Sequence, residues 1–155
     1  MAFELIVACE KPIPSDLRER WPELLAKHGI QCEIHPDFTP ESWNGGFLPF
    51  KIDEMPSHFI GEEIASPAMS GFEVDFDESS ASFRSAMGRT TTEFSLLCLC
   101  AAELTQITNG EYHDPQSGHS FAASDCMEAA LAEIRATLDF DGAADRIQHP
   151  FHRWN

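Results

Sequence analysis

The chain has 155 residues, with 26 acidic and 10 basic side chains and a formal net charge of −16 at pH 7. Such an anionic surface repels nucleic acid and anionic lipid and attracts cationic proteins, so the first two drop out as partners. The length fits one domain, and an apolar fraction of 43% with 12 Phe supplies the core that an acidic disordered tail lacks.

Phe3, Leu5, Val7 and Cys9 alternate with Glu4, Ile6, Ala8 and Glu10, which predicts an inner strand apolar on both faces. Lys11-Pro-Ile-Pro14 ends it, and Ser15 is placed to cap a helix starting at Asp16. The helical stripe is Leu17, Trp21, Leu24 and Leu25. Pro22 disfavours helical dihedrals at Trp21, so the helix either kinks there or restarts with Pro22 in its first turn. Gly29 is its stop. Gln31–His35 reads as a short strand. Five prolines between Pro36 and Pro67 prevent any long element. Phe47–Ile52 nonetheless reads as an edge strand, the place where its Pro49 is tolerated. Ser57–Ser70 carries no pattern that assigns it.

Phe72, Val74 and Phe76 alternate with Glu73, Asp75 and Asp77: a strand with an aromatic inner and an acidic outer face. Asp77–Ala81 turns the chain, and Ser82–Met87 returns it as a hairpin partner. Thr90-Thr-Thr-Glu93 is a capping box ahead of a helix over Thr91–Thr108, apolar on most sides and therefore buried. Asn109-Gly110 stops it. Glu111–Asp114 and His119–Phe121 flank Pro115-Gln-Ser-Gly118 as a small hairpin. Ser124 then caps a last helix with the stripe Met127, Ala130, Leu131, Ile134 and Leu138. The whole predicts a single α+β domain over residues 1–155: a two-layer sandwich, mostly antiparallel, with two to three helices on one face and an irregular segment 139–155.

The acids are unevenly spread. Between Asp53 and Glu78 stand Asp53, Glu54, Glu62, Glu63, Glu73, Asp75, Asp77 and Glu78, with no Lys or Arg among them. Glu73, Asp75 and Asp77 project from one strand face about 6–7 Å apart. These eight acids are the candidate partner-binding surface, because charge complementarity accelerates docking of a basic protein. A solvated outer face is the plainer explanation of the same row.

Other chemistry finds less support. Asp75-x-Asp77-x-Ser79 fails as a calcium loop, since Ser80 stands where Gly is needed and Ala86 where the bidentate Glu belongs. His113, Asp114 and His119 cluster around the small hairpin, but turn chemistry accounts for them. With Cys126 they form the best candidate set for a small enzyme or a ligand- or metal-binding protein. No phosphate loop, dinucleotide fingerprint, nucleophile elbow or His-Glu-x-x-His is present. The expectation is no enzyme, no cofactor and no metal. Cys9, Cys32, Cys98, Cys100 and Cys126 are odd in number and show no Cys-x-x-Cys, which predicts reduced thiols and a cytoplasmic setting. The N-terminal apolar run is too short for a signal sequence and holds Glu4. No run approaches the ~18 residues that cross a bilayer. His149–Asn155 gathers aromatic and cationic groups that suit either an interface anchor or a tail packed on the domain.

Gly45-Gly-Phe-Leu-Pro-Phe50, Ser70-Gly-Phe-Glu-Val-Asp75, Ala101-Ala-Glu-Leu-Thr-Gln-Ile-Thr-Asn-Gly110 and Tyr112-His-Asp-Pro-Gln-Ser-Gly118 together resemble small acidic bacterial immunity-type proteins. The resemblance spans roughly residues 43–121. It implies a non-enzymatic inhibitor that occludes the active site of a cognate antibacterial toxin, such as a nuclease with a basic cleft. It transfers no individual residue role. An adaptor subunit of a secretion or phage-related assembly is a further reading of an acidic binding protein.

Overall fold

Among the described residues every strand pairs antiparallel with its neighbours in one seven-stranded sheet, ordered β2-β3-β4-β5-β1-β6-β7. The computed structural model describes residues 2–60, 69–86 and 88–139. The strands are β1 (Ala2–Ala8), β2 (Gln31–Ile34), β3 (Phe47–Glu54), β4 (Met69–Phe76), β5 (Ser80–Ala86), β6 (Glu111–Asp114) and β7 (His119–Ala122). The helices are α1 (Leu17–Leu25), α2 (Thr91–Thr108) and α3 (Cys126–Leu138). This is the α+β arrangement that the sequence predicts. Ser57–Ser70 contributes a short 3-10 turn (Ser57–Phe59) and the start of β4. The predicted irregular segment beyond Asp139 and the His149–Asn155 cluster lie outside the described residues, as does Met87 of the predicted hairpin partner.

Alternation sorts the strands into two faces. Leu5, Val7, Leu48, Phe50, Phe72, Val74, Ala81, Phe83 and Tyr112 point inward and are buried. Those of β1, β4, β5 and β6 pack against α2, which is apolar almost all round and lies at the centre of the helical layer, with α1 and α3 beside it. Thr90 caps α2 by accepting the Glu93 backbone N–H at 3.2 Å. The second half of the predicted capping box does not form. The Glu93 carboxylate turns to the Ser85 hydroxyl at 2.5 Å instead.

Three local predictions are corrected by tertiary packing. First, α1 neither breaks nor restarts at Pro22, which lies inside it. The helix forgoes one backbone bond there. In return Trp21 is completely buried, donates its indole N–H to the Cys100 carbonyl at 3.1 Å, and meets Phe38, Phe72 and Phe83 at ring distances of 6.0 to 6.1 Å. Burying an aromatic of this size with its indole N–H paired offsets the roughly 3 kcal/mol that a proline inside a helix costs. Second, β3 is an internal strand, between β2 and β4. Pro49 is tolerated because its carbonyl accepts from His35 N–H at 3.2 Å, so its ring nitrogen faces the corner where β2 has already ended. Its partner on the other side is Gly71. A Cβ on Gly71 would lie 2.0 Å from the Leu48 carbonyl oxygen, at a φ of +149°. Third, the N-caps of α1 and α3 are Asp16 and Asp125 rather than Ser15 and Ser124, and neither side chain makes a cap hydrogen bond.

Candidate functional site

The eight candidate acids do not form one surface. Glu62 and Glu63 lie outside the described residues. Asp53 and Glu54 end β3, beyond the Lys51–Met69 pair. Asp77 and Glu78 follow the opposite end of β4, so at the usual rise about 25 Å or more of sheet separates the two groups. Glu73 and Asp75 project from the outer face of β4 as predicted, both exposed. Asp77 leaves the strand for the β4–β5 turn, closed by its N–H to the Ser80 carbonyl at 2.8 Å.

The stripe is base-free along the chain but not in space. Register sets Arg84 of β5 opposite Glu73, and Glu4 of β1 opposite Arg84. The guanidinium donates to Glu4 Oε1 from Nε at 3.0 Å and from Nη2 at 2.7 Å. Glu4 first, then Glu73 and Asp75, hold Arg84 more firmly protonated than usual. Asp75 is further constrained by the Asn44-Gly45-Gly46 turn. A Cβ on Gly45, at φ +87°, would fall 1.9 Å from Asp75 Oδ1, so glycine lets the turn lie against that carboxylate.

The loop that carries this turn builds a cleft. Trp43 donates its indole N–H to the Val74 carbonyl at 3.0 Å, and Val74 N–H donates to the Gly46 carbonyl at 3.0 Å. Folding the loop over the end of β4 brings Glu41 to Asp77 and Glu78. Together with Pro12, Ile13, Pro40 and Phe76 they line a cleft of about 410 Å³ that no Lys, Arg or His enters among the described residues. Cys9 N–H to the Ser79 carbonyl at 2.8 Å ties the turn to the end of β1. An apolar floor under three carboxylates suits an Arg or Lys side chain, whose aliphatic stem packs while its charged head pairs. Glu41 carries no local signal in the sequence: it sits in a proline-rich loop, and long-range folding alone brings it to Asp77.

The alternative His–Asp–Cys set separates. Asp114 faces the helices and accepts the backbone N–H groups of Gln116 and Ser117 at 3.0 and 3.4 Å, the turn role expected of it. His113 is on the opposite face, bonded to the Ser120 hydroxyl at 2.8 Å. The buried Cys126 thiol donates to the Ala102 carbonyl at 3.3 Å, and burial pushes its pKa up to about 11. Asp114 and His119 do line a second cleft of about 620 Å³ between the β6–β7 hairpin and α3, with Phe121, Asp125, Glu128 and Glu133. Burial, then the charge of Asp114, pushes the Glu133 carboxyl up to about 8. Among the described residues no group of three or more His, Cys, Asp or Glu is placed to hold a metal ion, and no helix is long and apolar enough to cross a membrane.

No family model matches the chain, and neither a curated protein nor a solved structure matches it.

Proposed function

We propose that this chain is a binding protein of the immunity type, which neutralises a cognate toxin by seating a cationic side chain of the toxin in the Glu41–Asp77–Glu78 cleft. The observation that carries the proposal is that cleft: three carboxylates around Ile13, Pro40 and Phe76, with no base in its lining among the described residues. The exposed Asp75 extends the acidic surface along β4. A basic nuclease is the simplest partner, because its phosphate-binding cleft already presents Arg and Lys. The five free cysteines suit a reducing, cytoplasmic setting.

The test is capture of partners from the native host with tagged protein, followed by association kinetics with the purified partner. The triple variant Glu41→Lys, Asp77→Lys, Glu78→Lys is expected to lower the association rate by about tenfold or more and to flatten its salt dependence. Unchanged kinetics, with the fold intact by circular dichroism, would reject the cleft as the interface.

A second reading rests on the 620 Å³ cleft, where the raised Glu133 carboxyl, Asp114 and His119 form an acid–base group suited to a cationic small ligand. Saturable binding of a polyamine, lost in Glu133→Gln, would favour it over protein inhibition.

A further inference from the structure

A third cleft, of about 390 Å³, opens where the 3-10 turn Ala26–His28 that follows α1, the Ser57–Phe59 turn and the last turns of α3 meet. Its electrostatics oppose those of the molecule. Lys27, His28, His58 and Arg135 line it, and among the described residues no acidic side chain does, in a chain where acids outnumber Lys and Arg by 26 to 10. Among the described residues neither Lys27 nor Arg135 makes an ion pair within 4 Å, so two permanent cations line the cleft without a direct carboxylate partner. The rest of the wall is apolar, from Phe59, Leu131, Ile134 and Leu138. The wall is also anchored: Ser95 of α2 donates its hydroxyl to the Phe59 carbonyl at 2.9 Å and fixes the turn on the helical layer.

We infer that this cleft binds a small organic carboxylate with a short apolar body. An Arg guanidinium matches a carboxylate with paired N–H donors, and Lys27 supplies a second charge. The apolar share of the wall calls for a ligand made mostly of carbon, which separates an organic acid from free phosphate. The volume stands near the lower end of the roughly 300–1,000 Å³ found for ligand pockets, so the ligand is small, with about ten heavy atoms.

The residue beneath the cleft fits this assignment. Glu103 of α2 is 1% exposed, and neither of its carboxyl oxygens has a hydrogen-bond partner. Its Oε1 lies 4.0 Å from His28 Nε2. Burial pushes the Glu103 carboxyl up to about 9, and burial followed by the charge of His58 pushes His28 down, so both are neutral at pH 7. Glu103 therefore adds no negative charge under the cleft to repel an anion. His28 is a positioning residue between the buried acid and the ligand.

The test uses the full chain and octanoate as probe, followed by calorimetry and by amide and imidazole NMR shifts. Saturable binding is expected, with shifts at His28, His58 and Arg135. The double variant Lys27→Ala, Arg135→Ala changes two exposed side chains and is expected to weaken binding by about tenfold or more while leaving circular dichroism unchanged. Octanol, octylamine and inorganic phosphate serve as controls and are expected to bind at least about tenfold more weakly. Octanol or octylamine binding as well as octanoate would overturn the inference, because charge would then not matter. Phosphate binding as well as octanoate would overturn the apolar body. An unaffected double variant, or shifts confined to another surface, would overturn the location. This result is independent of whether the acidic cleft docks a toxin.

Discussion

Glu103 is the residue whose placement costs the fold most visibly. A buried carboxyl without a hydrogen bond opposes folding by about 1–3 kcal/mol. Its charged form is disfavoured further, with Lys27 the one nearby charge that works the other way. The pH consequence has a definite sign. The folded state binds this proton more tightly than the unfolded chain, whose carboxyl titrates near 4.5, so stability is greatest at acidic pH and falls as pH rises from about 4.5 through about 9. Glu133, raised to about 8, and Glu93, raised to about 7, act in the same direction. Urea unfolding is therefore expected to give a higher midpoint at pH 5.5 than at pH 8.5. Glu103→Met should raise the midpoint at pH 8.5, by about 1–3 kcal/mol of stability, and flatten the slope. A variant less stable than wild type at pH 8.5 would show that Glu103 is ionised and paired in the fold. Nothing in the run Leu96–Gln106 marks Glu103 as buried, because the sequence shows a polar residue on a helix and not which neighbours close over it.

The elements themselves were largely legible, since strand alternation and the apolar run of α2 are local properties. The misreadings fall where a distant contact overrides a local preference. Trp21 stays helical before Pro22 because Cys100, 79 positions along the chain, accepts its indole N–H. Pro49, lacking a donor, marks β3 as an edge in the sequence, yet the loss falls at the corner beyond Ile34, a matter of register that no single strand encodes. Gly71 is the complement of that arrangement. Gly71→Ala would press a Cβ into the Leu48 carbonyl at 2.0 Å and force a side chain into a positive-φ region. Destabilisation of about 3 kcal/mol or more is expected by thermal unfolding. A shift under about 1 kcal/mol would mean that the β3–β4 pair slides to accommodate the methyl.

At the scale of the molecule, the acids were legible as exposed and as concentrated in sequence, but not as a site. A sequence window treats the chain as a line. It counted Asp53 and Glu54 together with Asp77 and Glu78, which folding places at opposite ends of the sheet, and it ended before Arg84, which folding places beside Glu73. For that reason, if the proposed docking holds, Asp53→Lys, Glu54→Lys is expected to leave association with the captured partner within about twofold of wild type while the Glu41–Asp77–Glu78 reversal slows it. Equal effects from both variants would mean that long-range charge, not the cleft, steers the encounter. The net charge of −16 also makes the folded state repel itself, so the thermal midpoint should rise between about 20 and 300 mM NaCl as screening shortens the range of that repulsion.

Among the described residues the sheet is open, and its two outermost strands, β2 and β7, are only four residues each. An exposed strand edge is a template on which a second chain can add by backbone pairing, and a short one gives such an addition few rungs. Seven strands thus carry little of the fibril-forming hazard that a long flat edge would bring. Self-association through sheet extension is therefore disfavoured at both margins.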